Sequence, residues 1–262
     1  MNTQDFQKRK IDNIPITMVT SYDSWSAALI ERSSIDTILV GDSLAMVMHG
    51  DTTTLLADSQ MMAMHVRAVR RGAPNSFIIG DMPFLSYRKG LLPAMETVEL
   101  LMRSGANAVK LEGVDGHEDI IEHIIRSGVP VMGHLGLTPQ SVHQFGGYRV
   151  QGKGDEDQSR IIEQAKRLEE LGCFSIVLEC IPSDLGRRIT EELTIPTIGI
   201  GAGNQVDGQV LVLQDLLGLS GERPPKFVKQ YLDGSSLIID ALNQYDHESK
   251  DRTFPTAKES YR

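Results

Sequence analysis

Short apolar runs of strand length recur along the chain and alternate with segments whose apolar residues follow helical spacing. Strands that are apolar throughout are typical of a parallel sheet covered on both faces. The predicted strands are 16–20, 37–41, 76–81, 107–112, 130–134, 174–179 and 197–201. The predicted helices are 24–32, 58–71, 93–103, 118–126, 156–171 and 184–193. Regular alternation of strand and helix therefore indicates right-handed βαβ units.

At 262 residues, the best match to this pattern is an α/β protein with a single-domain (β/α)8 TIM barrel. Its weakest element is the eighth strand, predicted at 210–213. Glycines that follow a helix and precede a strand are expected to close the helix in the left-handed conformation: Gly72, Gly105, Gly128 and Gly172. Because the chain turns polar past Tyr245, we predict a catalytic barrel at 1–245 and a polar, solvated C-terminal tail at 246–262.

Composition excludes several classes of function. The formal net charge of -9 and the pI near 5.3 argue against a nucleic-acid binder, which needs clustered Lys and Arg. We find neither a signal peptide nor an apolar run of about 18 residues that could span a membrane. The two cysteines, Cys173 and Cys180, lie in apolar stretches and are expected to be buried reduced thiols. These features predict a soluble cytoplasmic protein whose partners are small molecules.

Three acidic residues, Asp42, Asp81 and Glu112, end separate predicted strands. In a parallel barrel all strands open their carboxyl ends on one face, where active sites of this fold are built. Three carboxylates at one barrel mouth would repel unless they shared a cation. Oxygen ligands favour Mg²⁺ over Zn²⁺, with Mn²⁺ or Co²⁺ as substitutes. The alternative is that each acid only caps the following helix.

Further polar residues end strands of the same barrel. Glu179 ends a later strand and is a candidate general base, aided by a raised pKa or a nearby metal, or else a salt-bridged structural acid. Lys110 shares a strand face with Glu112 and would either neutralise a substrate oxyanion or pair with a neighbouring acid. His134 would donate to a substrate oxygen or be a satisfied core histidine. The glycine-rich segment 145–153 is a mobile lid or a plain surface loop.

The chain resembles the ketopantoate hydroxymethyltransferase family, also called 3-methyl-2-oxobutanoate hydroxymethyltransferase. The most specific motif is Gly-His-Leu-Gly-Leu-Thr-Pro-Gln at 133–140, followed by Phe-Gly-Gly-Tyr at 145–148. The other resembling stretches are 17–23, 40–44, 69–74, 109–113, 149–153, 178–182 and 198–209. They extend over nearly the whole predicted barrel in the order and spacing of the family.

The resemblance implies functions for individual residues. The family's Mg²⁺ ligands match Asp42, Asp81 and Glu112, its substrate contacts match Asp42, Ser43, Asp81 and Lys110, and its proton acceptor matches Glu179. It also implies a cytoplasmic homodecamer with a TIM-barrel fold. That enzyme would transfer a hydroxymethyl group from 5,10-methylenetetrahydrofolate to the 2-keto acid 3-methyl-2-oxobutanoate, giving 2-dehydropantoate in pantothenate biosynthesis.

Two departures from the family pattern do not touch these positions. Residues 56–58 replace a stretch that commonly reads Pro-Val-Thr, and the tail past Tyr245 has no counterpart. A carbon–carbon lyase or mutase of the phosphoenolpyruvate mutase and isocitrate lyase type is the rival enzyme. Such enzymes commonly use a reactive cysteine in a lid loop, and none lies between Gly136 and Lys153. A non-catalytic metabolite-binding barrel is a second rival.

Overall fold

The computed structural model of the protein describes residues 1–221 and 224–261. Eight parallel strands follow one another in chain order and close into a barrel, because β8 pairs with β1. The strands are β1 (Ile16–Thr20), β2 (Thr37–Val40), β3 (Phe77–Asp81), β4 (Ala108–Lys110), β5 (Val131–Gly136), β6 (Ser175–Glu179), β7 (Thr197–Ile200) and β8 (Gly208–Leu211). The predicted (β/α)8 barrel is confirmed.

Helices follow most of the strands. They are α1 (Thr3–Ile11), α2 (Ser24–Glu31), α3 (Leu44–His49), α4 (Ser59–Gly72), α5 (Leu91–Arg103), α6 (Glu118–Arg126), α7 (Val142–Phe145), α8 (Asp155–Leu171), α9 (Ser183–Glu192), α10 (Leu213–Leu216) and α11 (Gly234–Lys250). Short 3-10 turns occupy Thr54–Leu56 and Pro139–Ser141. Within the described residues, each helix is too short or too polar to cross a membrane.

The structure corrects several predicted boundaries. Strand β4 ends at Lys110, so Glu112 lies two residues beyond the strand rather than within it. The eighth strand begins at Gly208, two residues earlier than predicted. The strict alternation is also wrong after β7, where residues 201–207 form a loop. A helix does not form there because Gly201 and Gly203 adopt positive φ values of 67° and 85°.

Aromatic side chains close the amino end of the barrel. Phe6 of α1 is fully buried, and its ring centroid lies 5.6 Å from Phe77 and 5.1 Å from Phe174. Phe77 begins β3 and Phe174 directly precedes β6. Asn2 caps α1 by accepting hydrogen bonds from the Gln4 and Asp5 amides. Helix α1, which the sequence pattern did not predict, therefore closes the end of the barrel opposite to the strand carboxyl ends.

The predicted glycine caps are correct at three of four positions. Gly105, Gly128 and Gly172 have positive φ values of 113°, 88° and 98°. Gly72 instead ends α4 inside the helix. A Cβ atom at Gly72 would lie 2.0 Å from the backbone oxygen of Ser24. The glycine at 72 is therefore required by the close approach of α4 to the start of α2, and not by a left-handed turn.

The chain divides into two compact units, Met1–Val212 and the segment from Leu213 onward. The first unit holds the complete barrel. The second contains α10 and α11. The division predicted at residue 245 lies inside α11, which continues to Lys250. The exposed residues 251–261 follow that helix.

Candidate active site

Six charged or ionisable side chains lie together at the carboxyl end of the barrel. They come from five consecutive strands and the turns after them: Asp42 after β2, Asp81 at the end of β3, Lys110 and Glu112 at the end of β4 and just beyond it, His134 in β5, and Glu179 at the end of β6. Five of the six residues are between 2% and 4% exposed. Glu179 is the exception, because 17% of its side chain is exposed. It is therefore the member of the cluster most accessible from the barrel mouth.

The three predicted acids do not cap helices. The residues at the amino ends of α3, α5 and α6 are Ser43, Gly90 and His117. The capping alternative is wrong for these three acids, since Asp81 contacts Lys110 while Asp42 and Glu112 contact Gln140. Burying three carboxylates that cap no helix costs a large desolvation free energy unless other groups pair with them.

Lys110 pairs with Asp81 across neighbouring strands. The two residues are direct register partners in β3 and β4, and Lys110 Nζ lies 2.6 Å from Asp81 Oδ1. Burial lowers the pKa of Lys110, but the carboxylates of Asp81, Glu112 and Asp42 outweigh it and raise that pKa overall. Lys110 is thus a permanent buried cation. Its ion-pair partner is Asp81, although the two-residue spacing along the chain had suggested Glu112 as well.

Gln140 connects the acids and was not predicted as a site residue. Its Nε2 donates to Asp42 Oδ2 at 2.9 Å and to the Met82 carbonyl at 3.0 Å. Its backbone amide donates to Glu112 Oε2 at 3.0 Å. The signal available in the sequence was its place at the end of the motif 133–140. Nothing in its local spacing indicated contacts with residues 28 and 98 positions away.

Tyr87 holds Gln140 and Glu112 through its hydroxyl group. Its hydroxyl lies 2.9 Å from Gln140 Oε1 and accepts a hydrogen bond from the Glu112 amide at 3.2 Å. Burial and the Glu112 charge raise the pKa of Tyr87, so its hydroxyl stays neutral. Tyr87 lies on the loop after β3 and carried no sequence signal. A neutral hydroxyl and an amide thus fix the position of the acids without adding charge.

His134 lies between Glu112 and Glu179. Its Nδ1 is 3.5 Å from Glu112 Oε1 and its Nε2 is 3.2 Å from Glu179 Oε2. These are ion-pair contacts rather than aligned hydrogen bonds. Burial and the Lys110 charge lower the pKa of His134, but the two carboxylates more than offset them and raise it to about 9. His134 is therefore a second cation of the cluster near neutral pH.

The electrostatics of the cluster suit a divalent cation. Burial, Asp81 and Glu112 raise the pKa of Asp42 well above its usual range, and burial also raises that of Asp81. Glu112 Oε1 is a buried oxygen with no hydrogen-bond partner. The set of oxygen donors therefore fits a hard cation. Within 1–221 and 224–261, no three His, Cys, Asp or Glu side chains already surround one point, since Asp81 faces Lys110 and Asp42 faces Gln140.

Ser43 lies beside the acids at the start of α3. Its hydroxyl is 2.8 Å from the hydroxyl of Tyr22, a fully buried residue just after β1. A Cβ atom at Gly41 would lie 3.0 Å from the Ser43 hydroxyl, so glycine leaves room for the sharp turn between Asp42 and β2. The structure thus brings all the predicted substrate-contact residues, namely Asp42, Ser43, Asp81 and Lys110, to one region.

The segment 145–153 reaches over this region. Tyr148 donates to Met46 Sδ at 3.7 Å, and burial together with the charges of Asp42, Glu179 and Glu112 raises its pKa. The Gln151 amide donates to the carbonyl of Cys180 at 2.9 Å, next to Glu179. These contacts place the segment at the barrel mouth, where a lid or a surface loop would lie, and its mobility stays a prediction. Cys173 is buried as predicted, but Cys180 is only partly buried.

Solved structures with the same fold cover nearly all of the chain. Phosphonopyruvate hydrolase in complex with oxalate and Mg++ is 11% identical, with a TM-score of 0.64 over 99% of this chain and 93% of that one. For 2,3-dimethylmalate lyase the values are 15% and 0.62, over 99% and 91%. At this identity the likeness shows the fold alone. Together with the charged cluster at the strand ends, it defines the class as a (β/α)8 barrel with a buried ionisable site at the carboxyl ends of its strands.

Closer relatives define the family. Residues 1–257 match the family described as Ketopantoate hydroxymethyltransferase. Relatives called 3-methyl-2-oxobutanoate hydroxymethyltransferase include that of Coxiella burnetii, 57% identical over 97% of this chain and 96% of the relative. That of Bdellovibrio bacteriovorus is 55% identical over 98% of both chains. The chain belongs to the ketopantoate hydroxymethyltransferase family and is a transferase.

Proposed function

We propose that this enzyme transfers a hydroxymethyl group from 5,10-methylenetetrahydrofolate to 3-methyl-2-oxobutanoate, giving 2-dehydropantoate. This reaction begins pantoate and pantothenate biosynthesis. Family membership supports the choice of keto acid. The observation that carries the chemistry is the buried cluster of acids and cations with the more exposed Glu179 beside it. Such a site suits removal of a proton from the carbon next to a polarised carbonyl.

In the proposed reaction Glu179 takes the proton from C3 of the keto acid. One carbon–nitrogen bond of the methylene bridge of the folate opens to an iminium ion, and water adds to that carbon and breaks the second carbon–nitrogen bond, which releases tetrahydrofolate and leaves the carbon as formaldehyde. The electron pair released at C3 then forms the new carbon–carbon bond to this carbon, and its oxygen takes up the proton to give the hydroxymethyl group. The overall change converts the keto acid, methylenetetrahydrofolate and water into 2-dehydropantoate and tetrahydrofolate. No external oxidant or reductant is needed.

The cations of the cluster would stabilise negative charge during this step. Lys110 is buried and held by Asp81 at 2.6 Å, so it is preorganised to attract the substrate carboxylate or the developing enolate oxygen. His134 adds positive charge next to Glu179 at 3.2 Å. Ser43, oriented by Tyr22, would donate to the substrate. Asp42 and Asp81 would contribute to substrate binding by fixing these donors.

Asp42, Asp81 and Glu112 would together hold Mg²⁺. The absence of a hydrogen bond at the buried Glu112 Oε1 and the raised pKa values of Asp42 and Asp81 support this assignment, because a shared cation would relieve the repulsion. When bound, Mg²⁺ supplies a Lewis acid that polarises the carbonyl group. We also propose Mn²⁺ or Co²⁺ as substitutes, a cytoplasmic location, and the homodecameric assembly implied by the family resemblance.

A direct assay tests this proposal. The enzyme would be incubated with 3-methyl-2-oxobutanoate, methylenetetrahydrofolate and Mg²⁺, and 2-dehydropantoate measured by mass spectrometry. We expect product that disappears with a chelator and returns with excess Mg²⁺. Asp42→Asn should abolish the Mg²⁺ response, whereas Asp119→Asn, at an exposed acid of α6, should retain it.

Three outcomes would contradict parts of the proposal. Product formed equally well after chelation would exclude the metal function. Keto acid left unchanged in the presence of folate would exclude the transfer reaction. Cleavage of the carbon skeleton without folate consumption would favour the lyase or mutase chemistry of the rival class.

A further inference from the structure

A small polar cavity adjoins the candidate active site between the carboxyl ends of β4 and β5 and the side of α8. Its volume is about 270 Å³. Gly113, which lines it, directly follows Glu112. Gly136, also in the lining, is the register partner of Glu179 in β6. The cavity therefore lies next to Glu112, the proposed metal ligand, and beside the strand that carries Glu179, the proposed base.

Two arginines make the lining of the cavity positively charged, although the protein as a whole is acidic. Arg88 and Arg160 line it against a single acid, Asp115, in a chain whose net charge is -9. The Asp115 carboxylate already accepts a hydrogen bond from Gln164 Nε2 at 2.6 Å. The cavity thus offers more positive than negative charge to a ligand, next to a site that is rich in acids.

Neither arginine is committed to a buried carboxylate. The Arg88 guanidinium donates to the backbone oxygens of Asp115 at 3.2 Å and Glu112 at 3.3 Å, which leaves its charge uncompensated. Arg160 pairs with Asp157 one turn away on α8, and 51% of the Arg160 side chain is exposed. The Asp157 carboxylate also accepts a hydrogen bond from the Gly152 amide, so it stays partnered without Arg160. Exposed ion pairs contribute little to stability, so Arg160 can exchange Asp157 for a ligand carboxylate.

The backbone also holds Arg88 at the cavity. Gly113 has a φ of 75°, and a Cβ atom there would lie 3.1 Å from Arg88 Nη2. The Arg88 guanidinium lies 5.5 Å from the ring centroid of Tyr87, the residue that orients Gln140 and Glu112. A side chain at 113 would adopt a strained backbone conformation and would push the guanidinium away by a few tenths of an ångström. The arrangement thus ties an anion-binding group to the framework of the active site.

We propose that this cavity binds the glutamyl carboxylates of the folate co-substrate through Arg88 and Arg160. The inference rests on the proposed function. Folate carries its glutamyl tail one p-aminobenzoyl group away from the methylene carbon that reacts. The keto acid is assigned to the cluster around Lys110, so a second anionic group beside Glu112 and Glu179 belongs to the co-substrate. Arginine forks bind carboxylates in a bidentate manner.

The other polar residues of the lining suit a glutamyl tail. Thr138, Ser141 and Gln144 line the cavity with the two arginines, and Phe145 is an aromatic residue of the same lining. Hydroxyl and amide groups bind the amide and carboxylate oxygens of a glutamyl residue.

Steady-state kinetics with two co-substrates test the assignment. The enzyme would be assayed with 5,10-methylenetetrahydrofolate and with the corresponding tetrahydropteroate, which lacks glutamate. We expect the KM to be about tenfold lower for the glutamylated compound, the value of one charge-assisted contact. Arg160→Gln and Arg88→Gln should each reduce this preference several-fold. Arg160→Lys should restore part of it, because the charge is kept and the fork is lost.

Arg126→Gln is the matched control. Arg126 is an exposed arginine on α6 that pairs with Glu122 in its own helix. It should leave the preference for the glutamylated co-substrate unchanged. Arg160 is the more informative of the two cavity positions, because it lies on the surface of α8 and its replacement does not disturb the backbone around Glu112.

The outcomes separate this inference from the proposed function. Product formed from both co-substrates with equal KM, or a preference that persists in both variants, would overturn the cavity assignment alone. A change in the KM for the keto acid instead would place the substrate carboxylate in the cavity and also overturn it. If no product forms at all, the affinities for tetrahydrofolate and tetrahydropteroate would be measured by calorimetric titration. The cavity assignment requires tighter binding of tetrahydrofolate and loss of that difference in Arg160→Gln.

Discussion

The two ends of the barrel differ sharply although the same strands run through both. Strand β3 begins with Phe77, which packs with Phe6 and Phe174 at the amino end of the barrel. It ends with Asp81, which belongs to the charged cluster at the carboxyl end. Strand β6 follows Phe174 and ends with Glu179. Five strand residues extend over roughly 13 Å. Within that distance the barrel changes from apolar packing, which stabilises the fold, to buried charge, which is retained for chemistry despite its desolvation cost.

The comparison teaches that stability and activity should respond to different substitutions. Replacing an aromatic at the amino end removes packing without touching the charged cluster. Replacing the partly exposed Glu179 changes the chemistry without opening a cavity. A pair of variants, one at each end, can therefore separate the two functions of the same strands.

The largest expected effect is on catalysis at the carboxyl end. Glu179→Gln should slow exchange of the C3 proton of the keto acid into deuterated water by about 10³-fold, since a positioned general base contributes that much. NMR of the keto acid measures this exchange. The free energy of unfolding should change by less than about 1 kcal/mol.

Glu163→Gln, at an exposed acid of α8, is the control and should exchange the proton at the wild-type rate. Exchange at the wild-type rate in Glu179→Gln would sink the assignment of the base. A large loss of stability in that variant would remove the contrast between the two ends.

The next largest effect concerns the amino end. Phe6→Ala should lower the free energy of unfolding by about 3 to 4 kcal/mol, because it empties the position between Phe77 and Phe174. Urea unfolding followed by circular dichroism measures it. The kcat of the folded fraction should stay within about twofold of wild type, since the substituted ring lies at the opposite end of the barrel from the charges.

Ile11→Ala provides the control within the same helix, because Ile11 is 69% exposed. It should change stability by less than about 0.5 kcal/mol. A loss of kcat in Phe6→Ala at temperatures where the protein is fully folded would show that the two ends are coupled.

A smaller effect is expected at the amide that joins the acids. Gln140→Ala removes the donor to Asp42 Oδ2 and should reduce kcat/KM by about 10- to 30-fold, or roughly 2 kcal/mol. Tyr87→Phe removes only the hydroxyl contact to Gln140 and should cost less. Steady-state kinetics rank the two variants. A larger loss of kcat/KM in Tyr87→Phe than in Gln140→Ala would contradict the proposal that Tyr87 acts only through Gln140.

The smallest expected effect is a pH dependence of stability from His117. Burial, followed by the Arg88 charge, lowers the pKa of His117 to about 4. The unfolded chain therefore binds this proton below about pH 6.5, while the folded protein binds it only near pH 4. Stability should consequently fall by about 1.8 kcal/mol between pH 7 and pH 5 from this residue alone.

Urea unfolding at both pH values measures the loss. His117→Gln should lose less stability than wild type over this interval, whereas His123→Gln, at an exposed position of α6, should match wild type. An equal loss in His117→Gln would exclude this histidine as the source.

Sequence patterns predicted the barrel well because parallel strands buried on both faces leave long apolar runs. Charges that end such runs are conspicuous, so Asp42, Asp81, Lys110 and Glu179 could be singled out. Gln140 and Tyr87 could not, because they lie in loops where polar residues are ordinary. Gly72 was misinterpreted for a related reason: a glycine required by helix contact looks the same in sequence as one required by a left-handed cap.

Local periodicity and strand-end chemistry were thus determined by the sequence alone: the alternation of elements, the barrel class and the acids that would share one face. The tertiary structure decided which partner each charge takes. Asp81, and not Glu112, holds Lys110, and Gln140 joins Asp42 to Glu112 across the barrel mouth. The physical reason is that register and loop closure set these distances, and both depend on contacts between residues far apart in the chain.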